Sequence, residues 1–369
     1  MGKKFGAYDV DRKVAIGGMA EIYKATDVSG QPVAIKKIHP SLASQEKFVQ
    51  MFLDEVRIVI QLDHPNIVQL MDFGLVDGAY YFSMEWMDGK ALSAVTNEQK
   101  RLNKMMPIDV ALIMMMDICD GLFYAHSKED RYKRPLNIIH RDMSPPNILV
   151  NLGGVFKITD FGIAQVRDKN LLTQPGIIRG KFSYMSPEQS LGKPLDHRSD
   201  QFSINIIFYE LLTNHALFLR NSEIETLQAV RKCDIPPLKQ FRSNVPAELE
   251  YVIRKGLSLD RSKRFANAYE MKQAIAKIYE ENFPNSSREN VVNYFNQLFP
   301  DMHYTLSMHS IEEDSHYLRK AKIAQAKVKT VRTPAFNFQP FTHPLSMTLL
   351  MSLGTIMLVE LSLFLLNRL

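Results

Sequence analysis

Between residues 8 and about 90, apolar positions come in short runs at 10–16, 21–25, 33–38, 68–73 and 80–85, separated by turn-forming residues. Runs of this length and spacing predict β-strands. One stretch breaks the rhythm. From 45 to 61, Phe48, Phe52, Val56 and Val59 recur at three- and four-residue spacing, which places them on one face of a helix. After Pro107 the helical period takes over. Residues 108–126 read as a long helix, 137–188 as a loop-rich segment, and helical patterning resumes to about residue 281. The pattern predicts an α+β chain of two lobes, a small β-rich one with a single helix (8–87) and a larger α-helical one (88–280). Past Phe283 the periodicity fades, and 315–344 carries Arg319, Lys320, Lys322, Lys327, Lys329 and Arg332 with no acidic residue. The segment 281–344 therefore reads as a basic linker.

Composition adds limits. With 46% hydrophobic and 23% charged residues, the 369-residue chain has the make-up of a folded protein. Its two cysteines, Cys119 and Cys233, lie far apart with no Cys-x-x-Cys partner. That excludes a zinc ribbon or disulfide framework and fits a reducing cytoplasm. A net charge of +5 spread along the chain gives no nucleic-acid footprint. Lys3 and Lys4 have no apolar run behind them, so the start is not a secretory signal. The far end differs. Residues 345–366 are mostly Leu, Met, Ile, Val and Phe, with Glu360 the only charge, close to the ~20 residues a membrane-spanning helix needs. Preceded by Pro344 and the basic stretch, this run predicts a C-terminal hydrophobic helix that crosses a membrane as a tail anchor. An apolar helix docked on protein is the competing reading.

Candidate chemistry is phosphate chemistry. Lys36 ends the run Val33-Ala34-Ile35-Lys36, so a strand holds its ammonium on one face. Gly17-Gly18 lies in a turn between two strand-like runs, where missing β-carbons let backbone approach phosphate oxygens. Glu55 stands on the predicted helix, where a carboxylate could pair with Lys36. Each is weak alone, since a strand-end lysine is ordinarily a solvated charge. The decisive stretch is His140-Arg141-Asp142-Met143-Ser144-Pro145-Pro146-Asn147, followed by Asp160-Phe161-Gly162. Phosphoryl transfer needs a carboxylate beside the attacking hydroxyl and oxygen ligands for Mg²⁺. Asp142 supplies the first, and Asn147 and Asp160 the second.

In this order and spacing the motifs resemble those of the eukaryotic-like protein kinases over roughly residues 8–280. The resemblance implies the two-lobed kinase fold and an ATP- and Mg²⁺-dependent enzyme, with Mn²⁺ as a substitute ion, that phosphorylates serine or threonine of protein substrates. It makes Val33 to Lys36 the phosphate-anchoring strand, Glu55 its helix partner, Asp142 the catalytic carboxylate, and Asn147 and Asp160 the metal ligands. Met84 becomes the gatekeeper. The backbones of Glu85 and Met87 would meet adenine, with Val14, Ile22, Ala34 and Leu149 around it and Gly17 and Gly18 over the phosphates. Ser186-Pro187-Glu188 closes the activation segment, with Arg264 as the partner of Glu188, while Asp200 braces the catalytic loop. Gly180-Lys181-Phe182-Ser183-Tyr184-Met185-Ser186-Pro187-Glu188-Gln189 is similar to bacterial serine/threonine kinases, and an insertion containing 128–135 looks like one in kinases of some predatory and social bacteria. The kinase domain would then sit in the cytoplasm, tethered to the inner membrane and its lipid, with homodimerisation acting through the tail helix.

The sequence departs from the pattern in two places. Ala15 and Ala20 replace the first and third glycines of the nucleotide loop. Ser144 stands where serine/threonine kinases usually carry a lysine, and Lys181 where they carry a threonine. The paired change predicts a swap: Lys181 returns an ammonium to the same space and Ser144 a hydroxyl to Asp142. Because Arg141 precedes Asp142, a cationic pocket is expected to receive a phosphate on the activation segment, with Thr173 as the autophosphorylation site and Ser183 as the other hydroxyl before Tyr184. The rival from another class is a membrane-tethered pseudokinase scaffold, supported by the altered glycine loop and Ser144.

Overall fold

The computed structural model describes residues 3–161 and 181–303, all within the first of the chain's two compact units, Met1–Ser307. The short apolar runs at the start pair into one six-stranded antiparallel sheet. Along the chain its strands are β1 (Lys3–Phe5), β2 (Tyr8–Ile16), β3 (Ala20–Thr26), β4 (Pro32–Ile38), β5 (Leu70–Val76) and β6 (Ala79–Glu85), and side by side they run β1-β2-β3-β4-β6-β5. β4 lies inside the sheet and buries Val33, Ile35 and Ile38, while Lys36 keeps part of its surface. Helix α1 (Glu46–Val59) buries Met51, Phe52, Val56 and Val59, and the Phe52 ring lies 5.3 Å from that of Phe82 on β6. The sheet starts before residue 8. β1, two lysines and a phenylalanine with no strand signature, pairs Phe5 with Tyr8 and sets its ring edge-on to Tyr81.

β7 (Gly89–Ala91) leads into α2 (Leu92–Leu102) and pairs with β8 (Ile148–Asn151), which pairs with β9 (Phe156–Ile158). A β-carbon at Gly89 would sit 1.8 Å from the Val150 carbonyl, so only glycine allows this pairing. The helical lobe is built on α3 (Ile108–His126), apolar almost all round and buried accordingly, as such a helix must be. On it pack α5 (Arg198–Thr213) and α8 (Ala268–Asn282), with α7 (Ala247–Gly256) against both, while α4 (Pro187–Ser190) and α6 (Glu223–Lys232) pack on each other. Backbone bonds join the lobes: Val68 N–H donates to the Ile158 carbonyl and Ile158 N–H to the Asn66 carbonyl, both at 2.8 Å.

The linker reading of 281–344 begins too early. Helix α9 (Arg288–Leu298) buries Val291, Val292, Tyr294, Phe295 and Leu298, and Arg288 reaches Asp117 of α3 at 2.6 Å. The apolar positions that cover the lobe here are spaced by Asn293 and Asn296, which dilute the periodic signal. No helix among the described residues is long and apolar enough to cross a membrane, and the run 345–366 lies outside them.

Candidate active site

Strand β4 and helix α1 place Lys36 opposite Glu55, and the backbone turn after β9 brings Asp160 to the same ammonium. Lys36 Nζ donates to Glu55 Oε1 and to Asp160 Oδ1, each at 2.7 Å. Burial would push Lys36 down, but Asp160 and Glu55 together hold it above its ordinary value, so it stays charged. Burial would also raise Asp160, yet the Lys36 ammonium keeps that carboxyl below the usual range. Glu55 goes the other way, because burial outweighs the pull of Lys36. Asp160 has φ +57°, a left-handed backbone that a non-glycine residue holds only when its surroundings over-determine it. Phe161 supplies that constraint. It is buried with its ring 4.6 Å from His140.

The loop from 140 to 147 hangs on Asp200, the first-turn acid of α5. Its Oδ2 accepts from the His140 amide and its Oδ1 from the Arg141 amide, both at 2.8 Å, and His126 Nε2 lies 2.8 Å from Oδ2. Arg141 is consequently held at φ +69°. Asn147 Nδ2 donates to the Asp142 carbonyl at 2.7 Å and to Asp142 Oδ2 at 3.2 Å, which fixes the amide and leaves Asn147 Oδ1 as an oxygen donor. The Thr159 amide donates to the Asn147 carbonyl at 3.0 Å, so Asn147 and Asp160 are neighbours. Lys181 donates to Asp142 Oδ2 at 2.7 Å. The bond from the buried Ser144 hydroxyl goes to the Asp142 main-chain carbonyl, at 3.4 Å.

Glu188 and Arg264 meet as a buried bidentate pair at 2.7 and 2.9 Å, with Ser199 donating to Glu188 at 2.7 Å. Val14 is exposed on β2, Ile22 pairs with Lys36 across the β3–β4 ladder, Ala34 pairs with Met84, and Leu149 pairs with Ala91. Glu85 closes β6 opposite Val33 of β4. Gly17 uses its own N–H to close the β2–β3 turn on the Ala20 carbonyl at 2.8 Å, while a β-carbon on Gly18 would meet nothing. Gly162 and Thr173 lie outside the described residues, and Ser183 is buried.

Sequence reasoning missed several supports. Lys157 on β9 donates to both carboxylate oxygens of Glu85 at 2.8 Å, bracing the segment between the lobes. Gln189 donates to the Arg141 carbonyl at 2.7 Å, and Tyr184 to Glu210 at 2.7 Å. Only Gln189 carried a local sign, the Ser-x-x-Gln capping box that opens α4 at Ser186.

Residues 8–279 match the protein kinase domain family. The chain is 35% identical over 286 residues to the tyrosine-protein kinase MasK of Myxococcus xanthus, covering 76% of this chain and 44% of that protein. It is 31% identical over 290 residues to the serine/threonine-protein kinase PrkC of Bacillus subtilis, covering 78% and 43%. The chain thus spans less than half the length of these relatives. Among solved structures, the PknI kinase domain of Mycobacterium tuberculosis superposes with a TM-score of 0.57 at 25% identity, covering 75% of this chain and 98% of that one. With the fold, the motif geometry and the relatives in agreement, the chain belongs to the protein kinase domain family.

Proposed function

We propose that this domain transfers the γ-phosphoryl group of ATP to serine or threonine hydroxyls of proteins, including its own activation segment at Thr173. The observation that carries the reading is that Lys36, Glu55 and Asp160 meet at 2.7 Å, and Asn147 and Asp142 at 2.7–3.2 Å, with the Thr159 amide on the Asn147 carbonyl at 3.0 Å joining the two groups. A scaffold that performs no chemistry has no need of all five. Asn147 Oδ1 and the ionised Asp160 form the hard oxygen donor set that suits Mg²⁺, or Mn²⁺ in its place. A divalent ion held there would neutralise charge on the phosphates. Lys36 grips the phosphates, and Glu55 holds Lys36 extended. Met87 and Glu85 meet the adenine under Val14, Ile22 and Ala34 and over Leu149. Asp142 orients the acceptor hydroxyl. As its oxygen bonds to phosphorus the bond to the β-phosphate oxygen breaks, and the hydroxyl proton passes to Asp142.

Ser144 favours a second reading of the acceptor. With no lysine on the catalytic loop, and with a relative named as a tyrosine-protein kinase, a tyrosine hydroxyl is the alternative. One experiment separates these. The full chain is incubated with Mg²⁺, [γ-³²P]ATP and a generic basic protein, beside Asp142→Asn, and the labelled amino acids are identified. Phosphoserine or phosphothreonine absent from the variant supports the proposal, phosphotyrosine supports the alternative, and equal label in both proteins sinks either. The run 345–366 is proposed to anchor the domain at the inner membrane, with 315–344 against anionic lipid. Release of the chain by alkaline carbonate would refute that.

A further inference from the structure

The carboxylate of Asp142 meets a cation that does not come from its own loop. Lys181 opens the 3₁₀ turn Lys181–Tyr184 and sets its Nζ 2.7 Å from Asp142 Oδ2. Position 144, on the loop itself, offers only a buried hydroxyl bonded to a main-chain carbonyl, and so brings no charge. Lys181 keeps 39% of its side chain exposed. Its turn is firmly seated: Phe182 and Ser183 are buried, and the Tyr184 hydroxyl donates to Glu210 of α5 at 2.7 Å.

Beside Lys36 and the divalent ion that Asn147 and Asp160 would hold, Lys181 sets a further cation against Asp142, on the acceptor side of a transferring phosphoryl group. We propose that Lys181 is a catalytic residue, its ammonium bridging Asp142 and a γ-phosphoryl oxygen while the acceptor oxygen bonds to phosphorus and ADP departs. The inference rests on the kinase reading and adds that the cation travels with the acceptor-facing turn, so that phosphate stabilisation requires that turn to be seated. Ser144 and Lys181 then act as one unit, with the charge on the segment and the small hydroxyl on the loop.

Two measurements on the full chain test this. In steady-state transfer, Lys181→Met should lower kcat by about 10²-fold, and Lys181→Arg should retain more activity than Met. Adding Ser144→Lys to Lys181→Thr should recover part of the loss, whereas strictly additive losses would overturn the pairing. In calorimetric titration, Lys181→Met should weaken the β,γ-imido analogue of ATP by about tenfold and leave ADP unchanged, because only the analogue carries a γ-phosphate. Equal weakening of both nucleotides, in a variant with wild-type circular dichroism, would reduce Lys181 to a structural role and sink the proposal. A wild type that discriminates the two nucleotides through Lys181 but transfers nothing would overturn the catalytic assignment alone. A wild type that binds neither would fail the kinase reading and this inference with it.

Discussion

Burial strips water from the Lys36 ammonium, which stays charged because Asp160 and Glu55 each accept from it at 2.7 Å. The two carboxylates are not equivalent. Asp160 is held below its ordinary value against burial, whereas Glu55 is carried above it, so Asp160 keeps its charge more firmly. Glu55→Gln, which preserves an acceptor for Lys36, is expected to cut kcat by about tenfold. Lys36→Met leaves Asp160 facing Glu55 with no cation between them and should cost about 10²-fold or more. Equal losses in the two variants would refute the asymmetry. Lys157 invites a different measurement. Lys157 is buried and spends two bonds on Glu85, whose backbone is proposed to meet adenine. Lys157→Met should therefore raise KM for ATP by about threefold to tenfold with kcat unchanged. A fall in kcat at constant KM would place Lys157 elsewhere in the mechanism.

Helix α9 lies beyond residue 279, where the match to the family stops, yet it completes the large lobe. Arg288 joins it to Asp117 and to the Gly154 carbonyl, and Phe295 sets its ring 6.0 Å from Phe156 of β9. Each large side chain it buries contributes roughly 1.5–3 kcal/mol, less the entropy of ordering the helix. A chain cut after Asn282 should aggregate or melt at least about 5 °C below one cut after His303. Equal melting temperatures would make α9 an ornament. This helix also marks what the sequence conceals. β4 and the loop from 140 to 147 were legible because their chemistry is contiguous, and α3 because its apolar run is long and starts after Pro107. In α9, Asn290, Asn293 and Asn296 are indifferent helix formers, and its stability comes from partners more than a hundred residues away. Separation in sequence, 72 and 171 residues, also hid Glu85–Lys157 and Asp117–Arg288, since a charge pair across the fold leaves no local signature.

At the scale of the whole molecule, buried ion pairs tie the activation-segment end to the helical lobe, which makes stability depend on pH in a definite direction. Burial would raise Glu188 and Asp200, but Arg264 and Ser199 hold Glu188 below its ordinary 4.5, and His126 with the loop amides holds Asp200 below its ordinary 3.8. Depressed carboxyls contribute stability that is present above their unfolded values and lost as pH falls through their folded ones. Asp117 has the opposite sign. Burial raises it in spite of Arg288, so the folded state takes up that proton more readily and offsets part of the acid loss. The net expectation is a domain whose melting temperature is flat from pH 7 to about 5 and falls steeply below about 4. Arg264→Met isolates the Glu188 share. At pH 7 it strands a buried carboxylate and should cost about 3 kcal/mol. As pH falls and Glu188 is protonated in both proteins, wild type loses its pair while the variant is relieved of its stranded charge. The gap between the two melting curves should therefore narrow steadily from pH 5 to pH 3. A gap that stays constant over that range would mean that Arg264 stabilises the lobe through packing against Phe202, which it overlies at 4.8 Å, and not through its charge.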